Sequence, residues 1–137
     1  MLNKERLNFI VEDVNIYFEK LRKISPTKEN LNNDEKFLST SMAIFQILNR
    51  MIDLADEIVK IEKIGYPLQI KDLFTFLKEK NIIDKKLERK LKDLVISRNK
   101  FSHRYGNINK EEILLILKEL DSVKNFIKVI LAHLNKK

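Results

Sequence analysis

The feature that most limits what this chain can fold into is its lack of breakers. Gly65 and Gly106 are its two glycines, and Pro26 and Pro67 its two prolines, in 137 residues. Strands joined by tight turns need such residues at their bends, so the chain points to long helices. The apolar pattern agrees. Leu7, Ile10, Val14, Phe18 and Leu21 recur at three- and four-residue steps, the stripe of a first helix over about residues 3 to 24. Pro26 and the polar run that follows make a turn. Asn32 followed by Glu35 has the form of a capping box and opens a second helix. That helix carries Phe37, Ser41, Ile44, Phe45, Leu48, Ile52, Ala55 and Val59 on one side and reaches Lys63, before Gly65 to Pro67 end it. Its length exceeds that of an ordinary globular helix, so a kink near Asn49 or packing on a second subunit is expected.

A shorter third helix fits residues 68–81, with Leu73, Phe74 and Leu77 inward and Asn81 at its close. Asp84 caps a fourth, whose stripe is Leu87, Leu91, Leu94 and Val95. Gly106 and Asn107 stop that segment. Asn109 with Glu112 forms a further capping box, and a fifth helix carries Ile113, Leu117, Leu120, Phe126, Ile127, Ile130 and Leu134. No repeat or linker divides the chain. The expected fold is all-α: one domain over residues 1–137, an up-and-down bundle of about five helices.

Composition narrows the function. There is no cysteine, so neither a disulfide nor a thiolate metal site can form, in keeping with a reducing, cytoplasmic location. No apolar run approaches the roughly 18 residues of a membrane span, and the acids near the N-terminus break the pattern of a secretory leader. The two histidines, His103 and His133, are far apart and suggest no metal site; no Gly-rich phosphate loop is present, and no cofactor is expected. The net charge of +7 favours a polyanion such as RNA, or an acidic partner protein, although its lysines are spread along the chain and also suit a solvated face.

The segment Ser97 to Gly106, SRNKFSHRYG, concentrates the groups able to do chemistry. Arg98 lies one turn beyond Leu94, on the stripe of Leu87 and Leu91, so it points to the core side or to a groove at its edge. A guanidinium there needs a partner; a structural reading pairs it with a carboxylate such as Asp53 or Asp56. His103, five residues on, falls about 140° away around a straight helix. The two therefore converge only if the helix loosens near Ser102 or if a second subunit brings its own copies. Tyr105 follows His103 by two positions, either exposed beside it or as a half-buried ring anchoring the helix end. His133 reads as structural or merely exposed.

Arg98, Asn99, His103 and Tyr105 together resemble the Arg-x4-His-x-Tyr motif of the HepT-like branch of the HEPN superfamily. The segment LNRMIDLADEIVK and the stretch from Gly65 to Phe101 are similar to the second helix and middle of that family, while Ser102 stands where many relatives have an aliphatic residue. The resemblance implies an all-helical homodimer and a metal-independent endoribonuclease toxin, paired with a minimal nucleotidyltransferase antitoxin (MntA). It implies Arg98 and His103 as catalytic residues and Tyr105 as the acceptor of AMP. The chemistry suits RNA. Its 2′-hydroxyl is the nucleophile, histidine exchanges protons near neutrality, and arginine grips phosphate oxygens. A two-fold dimer would bring two of each to one cleft. Asn99 either supports the phosphate or His103, or merely caps the surface. Ser102 reads as a helix-end residue, and Arg104 has no assigned role. The alternative is a catalytically silent HEPN subunit that recruits or regulates a nucleotidyltransferase.

Overall fold

A computed structural model describes residues 4–103 and 108–136; of His103 it describes the backbone alone. The described residues form six α-helices and no strand: α1 (Lys4–Ile24), α2 (Asp34–Glu62), α3 (Lys71–Glu79), α4 (Lys85–His103), α5 (Lys110–Glu119) and α6 (Asp121–Asn135). A short 3₁₀ turn, Asn30–Asn32, precedes α2.

Helix α1 buries Leu7, Ile10, Val14 and Leu21 of the periodic stripe read from the sequence, and its Phe18 is half-buried against the core. Ser25 ends it in the left-handed region at φ 47°. Beyond Pro26, Thr27 and Asn30 close the turn on each other: Thr27 N donates to Asn30 Oδ1 at 2.7 Å, and Asn30 N to Thr27 Oγ1 at 3.0 Å. The cap of α2 is one residue later than expected. Asn33, not Asn32, accepts from Lys36 N at 3.0 Å. Asn32 lies in the 3₁₀ turn, whereas Asn33 has the extended backbone (φ −81°, ψ 124°) that an N-cap requires.

Helix α2 runs as one element of 29 residues and packs against every other helix of the bundle. That central position accounts for its length and its broad buried surface, from Thr40 to Val59. Lys63 ends it in the left-handed region at φ 53°. Helix α3 turns inward Leu73, Phe74 and Leu77, and Asn81 closes its exit at φ 58°. The Phe74 ring meets Phe126 edge-on at 5.7 Å, joining α3 to α6. Asp84 caps α4 by accepting from Leu87 N at 2.8 Å, and Leu87, Leu91, Leu94 and Val95 are buried.

The expected fifth helix is a rod broken at Leu120 into α5 and α6. Its buried positions Ile113, Ile116, Leu120, Val123, Ile127 and Ile130 keep the three- and four-residue steps of one apolar stripe. At the join the chain tightens by a three-residue step, with Val123 N donating to Leu120 O at 3.0 Å. Among the described residues no helix is long and apolar enough to cross a membrane.

Candidate active site

The site is assembled where the end of α4 crosses the middle of α2. Arg98 continues the buried stripe of α4, so its half-buried side chain turns toward α2. Its Nε donates to Asn49 Oδ1 at 3.1 Å and its Nη1 to Asn99 Oδ1 at 3.0 Å. Both acceptors are neutral amides. The carboxylate partners suggested by the sequence are committed elsewhere. Asp53 pairs with Arg50 at 2.8 Å and Asp56 with Lys60 at 2.8 Å. The hydrogen bond and charge of Asp56 hold the Lys60 ammonium above the ordinary lysine value. Among the described residues no carboxylate pairs with Arg98, so its charge is oriented but not neutralised. Asn49 had no signal in the sequence beyond its place in the second-helix segment, because its role depends on the register between α2 and α4.

Helix α4 stays helical through Ser102 to His103. The backbone thus does not loosen to bring positions 98 and 103 together, and they remain about 140° apart around one helix. Asn99 is half-buried, and its Oδ1 accepts from Arg98. Ser102 is an exposed residue of the last turn. Arg104, Tyr105, Gly106 and Asn107 lie outside the described residues.

The chain on either side of that segment is firmly held. Phe101 and Ile108 are buried, and the Phe101 ring lies 6.0 Å from that of Phe45 on α2. Lys100 Nζ reaches Glu112 Oε2 at 3.5 Å, linking α4 to α5. The expected capping box is present: Glu112 N donates to Asn109 Oδ1 at 2.8 Å and Asn109 N to Glu112 Oε1 at 3.4 Å. His133, read as structural, is far from this region in sequence and faces Glu62 Oε1 through Nε2 at 3.2 Å, joining the ends of α6 and α2.

Known proteins share this fold. Residues 14–130, which contain the whole of the Arg98–Tyr105 segment, match the family described as Ribonuclease HepT-like. An mRNA nuclease HepT of Shewanella oneidensis is 33% identical over 83 residues, 60% of this chain and 62% of that protein. The aligned part thus spans less than two thirds of the relative's length. Among solved structures, a toxin–antitoxin crystal structure with AMP-PNP contains a chain that superposes with a TM-score of 0.85 at 21% identity, covering 94% of this chain and 99% of the other. A tri-AMPylated Shewanella oneidensis HEPN toxin in complex with an MNT antitoxin gives a TM-score of 0.84, again at 21% identity, covering 94% and 98% of the two chains. A cytosolic protein of unknown function from Bacillus subtilis, YutE, gives 0.81 at 15% identity, covering 94% and 90%. These structural likenesses bear on the fold, an all-helical HEPN-type bundle, while the match over most of the sequence bears on kinship: the chain belongs to the ribonuclease HepT-like family.

Proposed function

We propose that this protein is an endoribonuclease that acts in the cytoplasm as the toxin of a HepT/MntA-type toxin–antitoxin pair. The observation that carries the reading is Arg98: a half-buried guanidinium fixed by two amide oxygens, with its charge left for a phosphate. The mRNA nuclease named among its relatives and the membership of a ribonuclease family support the same substrate class.

In the proposed reaction, the 2′-oxygen of RNA attacks the adjacent phosphorus while one His103 takes the 2′-hydroxyl proton. The 5′-oxygen leaves and accepts a proton from a second His103. One product end carries a 2′,3′-cyclic phosphate and the other a 5′-hydroxyl. Arg98 offsets the charge that builds on the phosphorane oxygens, and Asn99 steadies Arg98. The two histidines come from two copies of the chain in a homodimer, a reading supported by the separation of positions 98 and 103 on one continuous helix. No metal or cofactor is required by this chemistry.

Control is assigned to Tyr105. A minimal nucleotidyltransferase partner would join the phenolic oxygen to the α-phosphorus of a nucleoside triphosphate, releasing pyrophosphate and the phenol proton. The attached phosphate would compete with RNA for Arg98, and the adenosine would obstruct entry. The AMPylated toxin among the structural neighbours supports this mode of inhibition.

The test is cleavage of a defined RNA by purified protein in the presence of EDTA, beside the same strand carrying 2′-deoxynucleotides. Cyclic-phosphate products from RNA and an intact deoxy strand are expected. Cleavage of the deoxy strand, or loss of all cleavage with EDTA, contradicts the mechanism.

A further inference from the structure

We propose that Asn49 is a positioning residue for RNA cleavage: its side-chain amide fixes the orientation of Arg98 without neutralising it. The inference rests on the reading above that Arg98 meets the reacting phosphate.

The contact is tertiary. Asn49 Oδ1 accepts from Arg98 Nε across 49 positions of sequence, on the central helix of the bundle. A rigid helix therefore sets where the guanidinium sits. Asn99, one residue along on α4, takes Nη1 from the other side. Among the described residues nothing accepts from Nη2, so the outer end of the fork remains available to phosphate oxygens.

The choice of an amide is informative because the other half-buried arginine among the described residues is treated differently. Arg50, the next residue on α2, lies between Asp13 at 3.3 Å and Asp53 at 2.8 Å, joining α1 to α2 through carboxylates. That is the ordinary way to settle a partly buried guanidinium, since a carboxylate adds an opposite charge to the hydrogen-bond acceptor. At position 98 the acceptors are instead the oxygens of two asparagines. An amide oxygen aligns the donor as a carboxylate would, but it leaves the positive charge undiminished. A structural arginine gains nothing from that difference, whereas an arginine that must bind an anion depends on it.

The experiment compares wild type, Asn49→Asp, Asn49→Ala and Arg98→Ala as full chains, measuring kcat and KM for RNA cleavage together with thermal melting. Asn49→Asp is nearly isosteric, keeps the acceptor oxygen and adds a counter-charge. It is expected to melt no lower than wild type while kcat falls on the order of 10²-fold, more than KM changes. Asn49→Ala leaves Arg98 charged but less well held, and its kcat is expected to fall about 10-fold. A wild-type kcat in either Asn49 variant overturns the proposal. Wild-type cleavage by Arg98→Ala overturns the underlying reading of Arg98 instead, so the two failures are distinguishable.

Discussion

Arg50 and Arg98 are both half-buried, yet one is surrounded by carboxylates and the other by amides. At the scale of single residues, this difference in company separates a side chain that holds helices together from one proposed to meet an anion. The histidines are proposed to divide in the same way. His133 joins α6 to α2 through Glu62; His133→Ala is expected to cost at most about 1 kcal/mol, as partly exposed pairs do, and to leave RNA cleavage at the wild-type rate. A thermal melt and a cleavage assay on the one variant check both statements. The proposed role of Tyr105 is tested by mass spectrometry of the chain co-produced with a cognate nucleotidyltransferase. Nucleotide adducts on Tyr105, absent from Tyr105→Phe, are expected; neutralisation of growth inhibition with Tyr105 unmodified contradicts the role.

At the scale of elements, the ends of α4 and α5 frame the segment that carries the end of the motif. The Lys100–Glu112 pair and the Asn109–Glu112 capping box fix the start of α5, while Phe101 and Ile108 bury the chain on either side. Asn109→Ala removes the cap and is expected to lower stability by about 1 kcal/mol, read as a shift in the denaturant midpoint. An unchanged midpoint would show that the cap contributes nothing. This box was legible in the sequence because capping is local: an asparagine followed three residues later by a glutamate is enough. The same pattern at Asn32 misled by one residue, since a 3₁₀ turn places Asn33 where the extended backbone occurs. The stripe that put Arg98 on the inner face of α4 was legible for the same local reason. Its partners were not. Whether Arg98 meets Asn49 or Asp53 depends on how α2 and α4 slide past each other, and helical periodicity holds no information about that register.

At the scale of the whole molecule, α2 supports all the other helices and brings Asn49 under Arg98. The number of rods was readable from the breakers, but the join at Leu120 was not, because the buried positions from Ile113 to Ile130 keep helical spacing through it. A continuous α4 keeps positions 98 and 103 on different sides of one helix, which is why the proposed site is shared between two copies. Sedimentation is expected to give a dimer at micromolar concentration, and a monomer would remove the second histidine from the proposed mechanism. The most direct test of the account is the rate of RNA cleavage by purified His103→Ala beside wild type, in EDTA, with folding checked by circular dichroism. A helical, normally melting variant whose rate is lower by about 10²- to 10⁴-fold is the predicted result; wild-type cleavage by His103→Ala would contradict it.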